Sequence, residues 1–304
     1  MNCNMKEALP KRKFPLWGKI LLWIIVLLAV LGVALCVWMY RHWDDETLTI
    51  AHYEVETDFA EPIRIVQLSD LHSHVFGTDN DMLVELVAQL QPDLITMTGD
   101  MLDKQDVDAS VACSLIRDLQ KIAPVYYCYG NHEMDWMQRT GIDLNSQLSE
   151  AGAVVLDAAY TDIVIKGQNL RIGGFDGYYR YWGMMTSSKT DGEAWETFAD
   201  AFENTEKFKL LLCHIPTGWI DWGDINKSPV NLVLTGHYHG GQIRLPLVGG
   251  VYAPYVGFCP ENTEGMYVGK TATAILSTGL GSSPGIPRIN NPPQVVVVDL
   301  IPEN

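Results

Sequence analysis

Cysteine is scarce in this chain, with six residues in 304. No two of them form a CxxC pair and their spacing marks no disulfide framework, which excludes a thiolate zinc module and a disulfide-dense secreted scaffold. Cys3 and Cys36 fall in the N-terminal tail and a long apolar run, and Cys113, Cys128, Cys213 and Cys259 read as buried free thiols. Charged residues make up only 19% of the chain against 47% hydrophobic, which excludes an intrinsically disordered polymer. No internal repeat and no low-complexity linker is present. Basic residues are rarest in the body of the chain. Residues 1–43 hold six of the 21 Lys/Arg and one of the 37 acids, so the remaining 261 carry 15 bases against 36 acids. A body of that sign repels nucleic acid, so no nucleic-acid partner is expected; a phosphate ligand stays admissible, because bound metal ions invert the local field.

One long uncharged run is present, Ile20 to Tyr40. As a helix it spans about 30 Å, the thickness of a bilayer's hydrocarbon core. Trp17 and Lys19 precede it; Tyr40, Arg41, His42 and Trp43 form a second fringe. Five bases lie before the run, and Asp44, Asp45 and Glu46 follow Arg41. The positive-inside rule then gives a cytoplasmic basic tail (1–19), a transmembrane helix (20–40), a stalk (41–60) and an extracytoplasmic domain (61–304), that is, a single-pass protein of the cell membrane. A cleaved signal peptide is the rival, but the run exceeds an ordinary apolar signal region and no small-x-small site follows it. Val33-Ala34-Leu35-Cys36 resembles a lipoprotein acceptor box, with Leu35 where a small residue is needed.

Beyond residues 44–60, which suit a polar stalk or an edge strand, short apolar runs alternate with amphipathic stretches. Ile63–Leu68, Leu94–Thr98 and Val125–Tyr129 read as strands; about 79–90, 106–122 and 136–148 read as helices, the second burying Val107, Val111, Leu115 and Leu119. Then come short strands: Val154–Leu156, Ile163–Lys166, Leu170–Gly173, Lys209–Cys213, Leu232–Thr235, Gln242–Leu245, Ala272–Leu276 and Gln294–Leu300. The pattern predicts one mixed α/β domain with helices outside its sheets.

Five of the apolar runs end in residues that no core requires: Asp70-x-His72, Gly99-Asp100, Gly130-Asn131-His132-Glu133, His214, and Gly236-His237-x-His239. Ligands of open α/β sheets bind outside the carboxyl ends of strands, so these side chains are expected in one crevice. Imidazole nitrogen with carboxylate or amide oxygen suits Mn, Fe or Zn, where an oxygen-only set would favour Mg or Ca. Seven candidate ligands (Asp70, His72, Asp100, Asn131, His214, His237 and His239) exceed one catalytic ion and suffice for two with a shared carboxylate.

In this order the motifs resemble those of the calcineurin-like metallophosphoesterases, from about Ile63 to the C-terminus. Gly240-Gly241-Gln242-Ile243-Arg244-Leu245-Pro246 and Asn291-Pro292-Pro293 are similar to a membrane-linked bacterial branch with YkuE- and YaeI-type phosphodiesterases. The resemblance implies a β-sandwich of two mixed sheets flanked by helices, with a dinuclear site at one edge. It implies Asp70, His72 and His239 on one ion, Asn131, His214 and His237 on the other, and Asp100 bridging. It further implies attack on phosphorus by a hydroxide shared between the ions, with His132 free to act as general acid or to stabilise the transition state. Asp103 matches a position that orients this histidine in some relatives; a helix cap or loop carboxylate is the alternative. Where the protein Ser/Thr phosphatases carry an Arg after that position, this chain has Lys104, a point charge without a bidentate fork.

Three stretches, Tyr178–Gly192, Thr217–Pro229 and Pro246–Gly265, are too irregular for core strands and suit a pocket rim. Arg180, Arg244 and Arg288, with Asn131, are candidates to hold substrate, although Arg244 could instead pair with an acid. Aromatics beside an outward-facing anchor suit a lipid-linked or nucleotide-sugar phosphoester; a satellite core under long loops is the other reading. Two function classes follow. One is a membrane-anchored, metal-dependent phosphodiesterase or pyrophosphatase rather than a monoesterase; the other is an envelope protein that binds through its metals.

Overall fold

The structure is a computed structural model that describes residues 16–176, 189–282 and 286–303. Two units divide the chain, before and after Trp43. The first is helix α1 (Leu16–Arg41), about 39 Å long at 1.5 Å per residue. Among the described residues it is the one helix long and apolar enough to cross a membrane, and its apolar window is exposed throughout.

The second unit opens with β1 (Thr49–Thr57), so the segment between helix and domain contributes an edge strand rather than only a stalk. β2 (Ile63–Leu68), α2 (Asp81–Leu90), β3 (Leu94–Thr98), α3 (Ser110–Leu119) and β4 (Val125–Cys128) follow. Next come α4 (Asn131–Thr140), α5 (Leu144–Ala151), β5 (Ala153–Val155), β6 (Ala159–Ile165), β7 (Gln168–Gly174) and α6 (Lys189–Glu203). The chain continues through β8 (Phe208–Leu212), β9 (Leu232–Thr235), β10 (Arg244–Leu245), β11 (Gly249–Gly250), β12 (Tyr252–Ala253) and β13 (Gly257–Phe258). β14 (Gly265–Val268), β15 (Thr273–Leu276) and β16 (Gln294–Pro302) complete it.

One six-stranded sheet runs β1-β16-β2-β3-β4-β5 and the other β14-β15-β9-β8-β7-β6. Both are mixed: β16 meets β2 antiparallel, and β2, β3, β4 and β5 are parallel. The period-2 alternation of side chains decides which face meets what. Ile63 and Ile65 pack with Leu210, Leu212, Leu232 and Leu234 between the sheets, while Val66 and Leu68 face Leu83, Val87, Leu115 and Leu119 of the helices. On the far side of the second sheet, Leu211 and Val233 meet Phe198, Phe202 and Trp219. Fully burying one such aliphatic side chain stabilises the fold by about 1.5–3 kcal/mol.

Several local expectations are corrected. The stretch 136–148 is two helices, because Gly141 takes a left-handed conformation as the C-cap of α4 and Asp143 caps α5 by accepting the Ser146 N–H. α3 begins at Ser110, not Asp106, and Val107 is 89% exposed. Residues 103–106 are held otherwise: the Asp106 carboxylate accepts the Ser73 hydroxyl and the Asp103 N–H, and its carbonyl accepts the Trp136 and Arg139 side chains. Gln242–Leu245 shrinks to Arg244–Leu245, and the strand expected over Ile163–Lys166 stops at Ile165, because Lys166-Gly167, both with positive φ, form a two-residue turn of primed type into β7. Of the four cysteines read as buried, Cys259 is exposed.

Candidate metal centre

The strand ends of both sheets meet at one edge of the sandwich. β2 delivers Asp70 and His72, β3 delivers Asp100, and β4 leads through Gly130 into α4 with Asn131 and His132; β8 and β9 deliver His214, His237 and His239. The backbone that does this is unusual. Asp70, His72, Asp100, His237 and His239, five of the seven candidate ligands, have φ between 48° and 72°. Side chains other than glycine rarely sit there, at a cost of order 1–3 kcal/mol each, and such residues cluster at functional sites. Gly99 has φ 82° and lies so near the Gly130 backbone that a Cβ would stand 2.5 Å from its nitrogen. Only glycine lets the loops after β3 and β4 touch.

Two ligand groups result. In the first, His239 Nε2 lies 3.2 Å from His72 Nε2 and 3.4 Å from Asp70 Oδ1. In the second, His214 Nε2 lies 3.1 Å from both His237 Nδ1 and Asp100 Oδ2. The same Asp100 Oδ2 is 3.8 Å from His72 Nε2, so one carboxylate oxygen stands between the groups. The donor set fits divalent cations on further grounds. His214 Nδ1 donates to the Thr98 carbonyl at 2.7 Å, which leaves the Nε2 lone pair facing the group. Asn131 Oδ1 and His237 Nε2 are buried with no hydrogen-bond partner among the described residues. Acceptors buried so tightly together call for positive charge.

Without an ion the groups titrate against each other. Burial disfavours the charged form of His214, yet Asp100 and Asp70 override it and push its pKa up to about 10. Burial likewise opposes the charge on Asp100, but His214 and His132 hold it well below the usual carboxylate range. His237 and His239 go well below the imidazole range, by burial first and then by neighbouring cations. For Asp70, burial outweighs the pull of His214 and its pKa is raised.

A calcineurin-like phosphoesterase family model matches residues 63–241, more than half of the chain and all the motif blocks at this edge. The chain is a calcineurin-like phosphoesterase. It is 29% identical over 243 residues to the uncharacterized metallophosphoesterase YkuE of Bacillus subtilis, covering 78% of each chain. It is 27% identical over 251 residues to the phosphodiesterase YaeI of Escherichia coli, covering 80% of this chain and 84% of that one. Among solved structures it resembles a 5'-nucleotidase precursor from Thermus thermophilus (TM-score 0.46, 14% identity), covering 79% of this chain and about half, 54%, of that one. The enzyme is therefore a hydrolase of phosphoester bonds, from a family that uses two divalent metals.

His132 of the phosphoesterase is buried beside the first group, its ring edge-on to His72 at 4.4 Å between centroids. Its Nδ1 accepts the Lys104 N–H at 3.1 Å and lies 3.3 Å from Asp103 Oδ2. These two contacts exclude each other in one protonation state. A neutral ring takes the Lys104 bond, and a protonated ring donates Nδ1–H to Asp103; in both states Nε2 keeps a proton. Asp103 also faces His72 Nδ1 at 3.8 Å and accepts the Gln105 N–H, so it serves as loop carboxylate and histidine neighbour at once.

The arginines read as substrate holders fare differently. Arg288 is fully buried and donates to the Gly281, Asn291 and Thr278 carbonyls, so it cannot reach a substrate in solvent; burial pulls its pKa down to about 10. It braces the segment after β15 against the Asp70 loop, where Leu280 and Gly281 N–H groups bond the Ser69 and Asp70 carbonyls. Arg244 pairs with Glu264, the alternative its sequence left open. Arg180 lies outside the described residues, with most of 178–192. Trp219 is buried in the satellite core; Asp221 accepts the Tyr238 hydroxyl at 2.6 Å, so this stretch packs behind the site.

Two motif residues, Glu133 and Asn291, act as positioning residues, a role the sequence did not assign to them. Glu133 is fully buried, and its carboxylate accepts the N–H groups of Asp100, Met101 and Gly130 and the Tyr127 hydroxyl, at 2.7–2.8 Å. A Glu at the third position of a helix opening with Gly130 is the available signal, since that residue reaches back to the cap N–H. Asn291 donates to the His239 and Gln242 carbonyls and fixes the loop after β9. Asn291-Pro292-Pro293 carries the likeness to the bacterial branch, but nothing in its local pattern assigns the Asn this role.

Proposed function

We propose that this phosphoesterase hydrolyses a phosphodiester or pyrophosphate and is held at the cell membrane by α1, with residues 1–19 in the cytoplasm and the enzyme domain outside. The observation that carries the reaction is Asp100 Oδ2 standing between two ligand groups, 3.1 Å from His214 and 3.8 Å from His72. Asp70, His72 and His239 would hold one divalent ion, Mn, Fe or Zn, and Asn131, His214 and His237 the other, with Asp100 common to both. Ions so placed supply a nucleophile at neutral pH and neutralise charge on the phosphate.

The remaining work falls to the chain's own groups. Protonated on both nitrogens, His132 delivers the Nε2 proton to the leaving oxygen and keeps Nδ1–H toward Asp103, which leaves a neutral ring. Glu133 holds the Asp100 and Gly130 loops at fixed separation. The diester preference draws support from Lys104, which turns to Asp135 at 3.8 Å and puts no guanidinium beside the metals, and from the phosphodiesterase name of the E. coli relative. A lipid-linked or nucleotide-sugar substrate suits an enzyme tethered to a bilayer.

The full chain, purified in detergent, is tested on bis-p-nitrophenyl phosphate with Mn, after chelation and after metal return. Hydrolysis should vanish with the chelator and recover with the ion. His132→Ala should lower kcat by about 10²–10⁴ with metal content unchanged. A metal-loaded protein that hydrolyses no diester or pyrophosphate would leave the metal-dependent binding protein as the better reading.

A further inference from the structure

Outside α1, exposed apolar side chains gather on two short hairpins beside the metal centre. Leu247 and Val248, in the tip joining β10 to β11, are 107% and 56% exposed, and Phe258 on β13 is 81% exposed. The hairpins are joined by backbone bonds from Val251 to Ile243 and from Cys259 to Val251, and by the edge-on contact of Tyr252 with Phe258. Apolar residues exposed singly, as Val107 is, need no partner, but an exposed apolar cluster marks an interaction surface. The second hairpin also reaches the active edge: Tyr255 at its tip stacks on the candidate ligand His237, 5.0 Å between centroids and 20° between planes.

Chain connectivity indicates what covers this surface. α1 ends at Arg41, and two residues on, Trp43 forms a β-bridge with Ile289. Two peptide steps reach at most about 7 Å. Asp44 N–H bonds the Arg288 carbonyl, and the Asp45 carboxylate accepts the Arg288 N–H, so the docking extends over three residues. Ile289 in turn bridges Ile243 and accepts the Arg244 N–H at 2.9 Å, where the first hairpin starts. The base of that hairpin is thus bridged through Ile289 to Trp43, which follows the end of α1 by two residues in the chain. Trp43 itself is 57% exposed, and aromatic residues at this position mark the water–lipid boundary. Three side chains on two hairpins lack the continuous core of about 1,000 Å² that a stable protein interface needs; inserted among lipid head groups, they bury their surface without one.

We propose that the two hairpins rest in the head-group layer of the bilayer, so that the metal centre takes an amphiphilic phosphoester from the membrane surface. This rests on the anchored-phosphoesterase reading above.

The test is contact, independent of turnover. The full chain, carrying p-benzoylphenylalanine at Leu247, Phe258, Ile25 or Val164, is reconstituted in phosphatidylethanolamine–phosphatidylglycerol vesicles and irradiated. Melting curves in detergent show that each labelled protein is folded. Positions 247 and 258 should give lipid adducts by intact mass, several-fold above Val164, an exposed residue of β6 in the far edge strand of the second sheet. Adducts at position 25 with none at 247 and 258 overturn the proposal and leave the anchor standing. Absence at all of these positions overturns both. Adducts at 247 and 258 without any at 25 support the hairpin contact while refuting the anchor. Cross-links between two copies through 247 or 258 assign the surface to self-association and overturn the proposal.

Discussion

The two ligand groups differ in what stands behind them. Behind His72 is a carboxylate, Asp103, at 3.8 Å; behind His214 is the main-chain carbonyl of Thr98 at 2.7 Å. Asp70 and His239 of the first group lean on the segment after β15, through Leu280, Gly281 and Asn291, while the second is built on the ends of β3, β8 and β9. The second group thus inherits its geometry from strand pairing within the sheets. The first depends on a distant stretch of chain and on a carboxylate that strengthens its histidine. Asp100 belongs to both, and removing it should erase the difference. Asp100→Ala is expected to empty both groups, so that bound metal falls from two ions per chain toward none and diester turnover is lost. Elemental analysis beside the assay checks this, and one ion retained would show that the groups are independent.

Glu133 offers a harsher comparison of geometry with ligation, because it touches no candidate ligand side chain yet holds the backbones of Asp100 and Gly130. In Glu133→Gln an amide NH₂ replaces one acceptor among three N–H donors and a tyrosine hydroxyl. A hydrogen bond to a buried charged group is worth about 1.5–3 kcal/mol, so denaturant unfolding should show a loss of about that size. Metal content should fall in both groups, which share the displaced carboxylate. A variant destabilised to this extent with both ions at full occupancy would confine Glu133 to folding.

The placement of the candidate ligands at one edge was legible, because each of these apolar runs breaks into Asp, His or Asn at its carboxyl end. Short apolar runs such as Ile63–Leu68 and Leu94–Thr98 likewise marked the strands. What local pattern could not show depends on distant contacts. Val107 carries the helical spacing of a buried residue, yet Asp106 is committed to Ser73, Trp136 and Arg139, and the helix starts later. Arg288 looks like a phosphate holder until its burial among carbonyls from 278 to 291 is seen. The left-handed φ of five ligands leaves no signature, since Asp and His tolerate that region without announcing it.

Asp103→Asn isolates the backing of the first group. A carboxylate behind a metal-binding histidine is typically worth 10–100-fold in metal affinity. The variant should therefore lose one of two ions at an effective concentration lower by about that factor, while the second ion holds. Asp103 also meets His132, so turnover with both sites saturated should fall as well. A variant with unchanged affinity and reduced turnover would make Asp103 a partner of His132 alone.

Comparing the groups by acid release of metal requires the acid sensitivity of the fold itself, and a remote pair supplies it. Asp299 on β16 accepts Arg64 of β2 through both oxygens at 2.8 Å and His52 of β1 at 2.9 Å. The Arg64 bonds hold its pKa below the usual aspartate value against the pull of burial. A carboxyl depressed on folding contributes stability above its unfolded pKa, near 3.9, which is lost as pH falls through the folded value. Asp299→Asn should lower the melting temperature modestly at pH 6, and the gap to the parent should close as pH approaches 3. Its metal content at neutral pH should equal the parent's, because the pair lies outside both ligand groups. If the gap stayed constant with pH, acid unfolding would originate elsewhere, and release of metal at low pH could then be assigned to the ligand groups themselves.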